Sequence, residues 1–150
     1  MKPADVVHLV TKHAGAWPVP LVLGIAEQES GRHDRRGVLV DFNERAFLPD
    51  RNGGSYGLFQ LDLPTARDRG YAGDGAGLYC AETNARLAVL QLDWIADYLR
   101  QRGAFGLATL VAGYNEGAGA AARGNPDPRY VGFVMAYREK WRVALGLGVS

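Results

Sequence analysis

The sequence predicts a mainly α domain, α+β at most, with a polar loop or small hairpin after its second helix. Three observations carry that prediction. Apolar residues recur at helical spacing through most of the chain. Glycines and prolines stand where helices should begin and stop. The one β-like run, Val38-Leu39-Val40-Asp41-Phe42, is short and leads into a polar, glycine-rich stretch. The 150 residues read as one domain, 1–150. A chain of this length buries roughly 70% of its unfolded surface, enough to hold together without a metal or a disulfide.

The first helix is expected over 4–14, where Val6, Val7, Leu9 and Val10 alternate with polar residues and Gly15 offers a stop. Pro18 and Pro20 suit the first turn of a second helix, in which a missing N–H costs nothing. That helix, about 19–30, carries Leu21, Val22, Leu23, Ile25 and Ala26 and is apolar on most sides, which places it in the core. Gly31 reads as its C-terminal cap. Residues 34–57 read as a loop with room for a small hairpin, Leu63-Pro64-Thr65 as the entry to a short helix, and 70–80, with four glycines, as another loop. The strongest helical pattern spans 83–102, with Leu87, Leu90, Trp94, Ile95, Tyr98 and Leu99 on one side and Gly103 at its end. A shorter apolar helix follows at 106–115, then a turn at 124–128, then a last helix over 129–145 bearing Tyr130, Phe133, Val134, Tyr137 and Trp141. Trp94 and Trp141 fall on helix faces and are expected in the core.

Composition excludes several classes of function. With 17 basic and 16 acidic residues the net charge is +1, too balanced for a nucleic-acid partner. No run approaches the roughly 20 apolar residues of a membrane span, and the first fifteen residues lack the apolar stretch of a signal peptide. Cys80, the one cysteine, reads as a small buried apolar residue, since no Cys-His pattern surrounds it. His8, His13 and His33 have the wrong spacing for a zinc site. Neither a phosphate-cradling loop nor a nucleophile elbow is present. No metal and no cofactor are expected.

The carboxylates say more. Glu27 and Glu29 are two apart on the second helix and so point in different directions. Glu27 reads as solvated. Glu29 lies in the last turn, where the helix end carries partial negative charge and disfavours a second one. Burial would disfavour that charge further. Both effects raise its pKa, as a general acid near neutral pH requires.

Three blocks occur in order around it: Ala26-Glu27-Gln28-Glu29-Ser30-Gly31, Tyr56-Gly57-Leu58-Phe59-Gln60-Leu61-Asp62 and Gly113-Tyr114-Asn115-Glu116-Gly117-Ala118-Gly119. Together, over about residues 18–141, they resemble the goose-type lysozymes and soluble lytic transglycosylases of the lysozyme-like superfamily. The sequence departs from that pattern at Phe59, where Met is usual, and at Glu116, where Ala is usual. Asp50 and Asp62, which bracket the glycine-rich stretch, are similar to the paired aspartates of the goose-type branch. Asp41 and Glu44 in the same loop are rivals for that role.

The resemblance implies a lysozyme-like helical domain acting on peptidoglycan, with Glu29 as the catalytic acid and Asp62 and Asp50 positioning water. It implies that Ser30, Tyr56, Gly57, Gln60, Tyr114 and Asn115 bind substrate. Tyr114 would approach and orient Glu29, while Gly57 and Gly117 would let backbone come close to the sugars. Tyr56, Tyr71, Tyr79 and Tyr130, in or beside loops, are candidates to face sugar rings. The expected reaction is hydrolysis of the β-1,4 bond between N-acetylmuramic acid and N-acetylglucosamine by a monomer. Two alternatives stand beside it: a lytic transglycosylase forming 1,6-anhydromuramic ends, and a glycan-binding module without catalysis. The place of action implied is the bacterial cell wall, reached as a phage lysin, a virion-borne enzyme or a domain trimmed from a secreted protein.

Overall fold

The structure, a computed structural model, describes residues 1–124 and 126–148. The predicted turn at 124–128 includes Asn125, which lies outside the described residues.

Among the described residues seven α-helices form the frame: α1 (Pro3–His13), α2 (Val19–Ser30), α3 (Leu63–Asp68), α4 (Ala81–Gln101), α5 (Leu107–Glu116), α6 (Ala118–Ala122) and α7 (Pro128–Ala144). Five short strands lie between α2 and α3. β1 (Gly31–His33) and β2 (Leu39–Phe42) make an antiparallel hairpin. β3 (Phe47–Leu48), β4 (Ser55–Tyr56) and β5 (Leu61–Asp62) make a three-stranded antiparallel meander. The region expected to be a loop with one hairpin therefore holds a second sheet. Its strands are two residues long, too short to show alternation in sequence. A 3₁₀ turn, Ala76–Tyr79, interrupts the glycine-rich loop before α4.

Helix α2 is the centre of the core, as its all-round apolar character predicts: residues 20–27 are all buried. Its main neighbour is α7. The two approach closely because Gly24 has no side chain. A Cβ there would stand 2.8 Å from the Val134 carbonyl oxygen and 3.0 Å from the Arg138 amide nitrogen. The core continues through Leu87, Leu92, Ile95 and Leu99 of α4 and Leu110 and Val111 of α5.

Four local expectations are corrected. Gly31 is no left-handed cap, since its backbone is extended (φ −66°, ψ 136°) and begins β1. It is a glycine because a Cβ would lie 2.5 Å from the Glu27 carbonyl oxygen. Trp94 is 41% exposed, on the outer edge of α4, with the Arg69 guanidinium 4.8 Å from its ring centroid. Cys80 is exposed at the N-cap of α4, where hydrogen bonding to Thr83 holds its thiol below the usual value. Glu27 is buried, at 4% exposure, and accepts from His33 Nε2 (2.8 Å) and Trp141 Nε1 (2.7 Å). Trp141 itself packs against the core edge. No helix among the described residues is long and apolar enough to cross a membrane.

Candidate active site

Glu29 lies in the last turn of α2, one residue before Ser30 ends the helix and Gly31 begins β1. Its partly buried carboxyl has a pKa raised to about 7. Burial is the cause, opposed by a hydrogen bond that the Tyr130 hydroxyl donates to Glu29 Oε1 at 2.5 Å. The Tyr130 phenol is in turn pushed far up, first by its own burial and then by the carboxyl beside it. Glu29 is thus half-protonated near neutral pH, poised to give a proton and to take one back. It is the one carboxyl among the described residues whose pKa is clearly raised.

Tyr130 begins α7 and stands 101 residues from Glu29 in sequence. Sequence reasoning offers it as a ring to face sugars and gives the orienting role to Tyr114. In the structure Tyr130 is the residue bonded to the acid. Tyr114 instead donates to the Phe59 carbonyl oxygen at 2.8 Å. The phenol of Tyr114 is well above its usual value, through burial first and then through the neighbouring carboxyls of Glu29 and Asp62.

Tyr114 also lines a polar cleft of about 520 Å³. One wall comes from the 50–62 segment with Asp50, Ser55, Gln60 and Asp62. The other comes from the end of α5 with Tyr114, Asn115, Glu116 and Gly117. Glu29 is not itself among the lining side chains; Tyr114 connects it to the cleft.

The wall bearing Gln60 is held by backbone and amide chemistry. Gln60 adopts φ +50°, uncommon for a residue with a side chain. Its Nε2 donates to the Ala46 and Gly57 carbonyls, both at 3.0 Å. Those bonds fix the amide with its donors turned inward. Behind the wall, fully buried Asn84 of α4 accepts from the Phe59 amide (2.8 Å) and donates to the carbonyls of Tyr56 (2.8 Å) and Leu78 (2.9 Å). No motif marks Asn84 in the sequence, yet it fastens the whole 56–60 block to the helical frame. Gly57 is a glycine for that contact, since a Cβ would lie 2.7 Å from the Asn84 amide nitrogen and 2.6 Å from the Leu78 carbonyl oxygen.

The remaining predicted residues divide. Asn115 is exposed on the cleft wall. Ser30 is buried, its hydroxyl donating to the Leu58 carbonyl at 2.7 Å, so it joins the end of α2 to the 56–60 block. Tyr56 packs against Phe47 and Tyr79, with ring centroids 5.0 and 5.5 Å away. Ser30, Tyr56 and Gly57 are not among the cleft-lining residues, nor are Tyr71, Tyr79 and Tyr130. Asp62 lines the cleft and also caps α3, accepting from the Thr65 amide at 2.7 Å. Asp50 lines the cleft with both oxygens engaged. Oδ1 accepts from the Asn52 and Gly54 amides, and Oδ2 from the Ser55 hydroxyl. These bonds hold its carboxyl below the usual range. Asp41 and Glu44 are occupied elsewhere, Asp41 by Arg32 at 2.6 Å and Glu44 by the Met1 amine at 2.7 Å.

A central apolar helix with Glu29 in its last turn, followed by a short β-region and further helices, forms the mainly α, lysozyme-like fold. A solved structure of that fold, the 70 kDa soluble lytic transglycosylase of Escherichia coli, superposes with a TM-score of 0.66 at 21% identity. The likeness covers 93% of this chain and 24% of the transglycosylase chain. No protein-family profile and no curated protein matches the sequence.

Proposed function

We propose that the protein cleaves the glycan strands of peptidoglycan at the β-1,4 bond between N-acetylmuramic acid and N-acetylglucosamine, as a lytic transglycosylase. The observation that carries this is the one raised carboxyl among the described residues, Glu29, which is bonded to Tyr130 and acts electrostatically on Tyr114, a residue that lines a polar cleft of about 520 Å³. Protonated Glu29 gives its proton to the glycosidic oxygen, and the bond from that oxygen to the anomeric carbon breaks. The muramic acid's own C6 hydroxyl then attacks the anomeric carbon, and its proton returns to Glu29. The product carries a 1,6-anhydro end, no water is consumed, and one carboxyl serves both steps.

Hydrolysis, the reaction expected from the aspartate pair, asks for a second carboxylate free to activate water. Asp50 fits poorly, with both oxygens bonded and a depressed pKa. Asp62 is the residue that keeps this second reading open: it lines the cleft, and its Oδ1 alone serves the α3 cap. Mass analysis of digested, purified peptidoglycan separates the two. Anhydromuramic ends are expected; reducing muramic ends that vanish in Asp62→Asn would establish the hydrolase instead. Absence of any glycan cleavage would remove both readings.

A further inference from the structure

Glu116, the last residue of α5, is among the residues that line the cleft. Among the described residues its Oε1 is the one buried side-chain oxygen without a hydrogen bond. Native proteins seldom leave a buried acceptor unpaired, and a charged one is the most costly to leave so. The position aggravates the cost, because a helix C-terminus already carries partial negative charge. The nearest chain neighbours offer no relief, since Asn115 is exposed and Gly117 has no side chain. Nor is the cleft otherwise basic. Its lining holds three carboxyl side chains, Asp50, Asp62 and Glu116, against one guanidinium, that of Arg51. This happens in a chain whose net charge is +1, so the acidic character is local to the cleft.

A partly buried carboxyl at a negative helix end, on a residue that lines a polar cleft and with one oxygen shielded and unpaired, is matched by a cationic N–H donor that reaches it from the cleft. Amino sugars supply one when the nitrogen at C2 is not acetylated. We infer that Glu116 is a specificity-determining residue that accepts a hydrogen bond from the free amine of a de-N-acetylated amino sugar, so that the cleft prefers glycan segments carrying such amines over fully N-acetylated ones. The inference rests on the reading of this cleft as a glycan site.

Calorimetric titration with two hexasaccharides, β-1,4-linked glucosamine and β-1,4-linked N-acetylglucosamine, tests it. The Glu29→Gln background prevents cleavage during the measurement, and mildly acidic buffer keeps the sugar amines charged. The glucosamine hexamer should bind roughly tenfold more tightly, the scale of one charge-assisted hydrogen bond. Adding Glu116→Gln, or Glu116→Ala (the smaller side chain usual at this place), should bring the ratio of the two affinities close to one. Asp97→Asn, which removes a carboxyl far out on the exposed face of α4, should leave the ratio unchanged. Circular dichroism melts verify that each variant is folded. Equal affinities in the Glu29→Gln background, or a preference that survives both Glu116 substitutions, would overturn the assignment while leaving glycan cleavage standing. A ratio that falls equally in Asp97→Asn would overturn it as general charge attraction. If neither hexamer binds, the glycan reading fails and takes this inference with it.

Discussion

The Tyr130 hydroxyl and the Glu29 carboxyl, held 2.5 Å apart, join the start of the last helix to the end of the second. The bond favours the ionised carboxyl and so works against the burial that raises its pKa. Removing it in Tyr130→Phe should move the pKa of Glu29 further up. The alkaline limb of the pH–activity profile is then expected to shift to higher pH. The rate should fall roughly 10- to 100-fold, because the acid is less well positioned. An unshifted profile with a lower plateau would mean that Tyr130 fills space and does not tune the acid.

Glu29 also makes stability depend on pH. Its folded pKa of about 7 exceeds the ordinary glutamate value of 4.5, so between those values the folded state binds more protons than the unfolded one. The linked stability is complete below 4.5 and is lost as pH rises through 7. The loss amounts to at most about 3 kcal/mol, less to the extent that water reaches the carboxyl. Glu29→Gln should abolish activity, flatten this slope and be the more stable protein at alkaline pH. Denaturant titrations across that range measure it.

The contact between α2 and α7 should matter to chemistry as well as to stability. Gly24→Ala would force a methyl group against the backbone of Val134 and Arg138. The overpacking should cost about 1–3 kcal/mol. It should also part Tyr130 from Glu29, so the activity lost at a temperature where the fold persists should exceed that of an equally destabilising change elsewhere. Matching its melting temperature with a variant remote from α7 makes the comparison.

Asn84→Ala deletes three buried hydrogen bonds at once, including the partner of the Phe59 amide. About 3 kcal/mol of destabilisation is expected, or roughly 6–12 °C in melting temperature for a chain of this size. Because the cleft wall hangs on Asn84, glycan binding should weaken in parallel. Asn84→Asp should be no better, since a carboxylate cannot donate to the Tyr56 and Leu78 carbonyls.

The long helices were legible because each buries one face and so repeats apolar residues at the helical period. Six expected helices correspond to α1–α5 and α7, mostly within one or two residues at each end. Helix α6, five residues rich in Ala and Gly, carries too little periodicity to be seen. The strands were hidden by their shortness. At the site, the raised pKa of Glu29 was legible through its place in the last turn of an apolar helix. Its partner was not, because which tyrosine reaches it depends on how α7 lies across α2. Asn84 and Glu27 were missed for the same reason. Their hydrogen-bonding partners lie 6 to 28 residues away for Asn84 and 6 and 114 residues away for Glu27, and local pattern says nothing of such pairings. Trp94 departed from expectation because a helix side can be apolar and still form a rim, here covered by an arginine.

Helix α7 grips both glutamates of α2, Trp141 holding Glu27 and Tyr130 holding Glu29, while none of its residues lines the cleft. On the function proposed above, the terminal segment would act as a splint on the proton donor, separate from the surfaces that would meet the sugar. If that function holds, fraying of the splint on warming would leave a protein that still captures its polymer yet has forgotten how to break it.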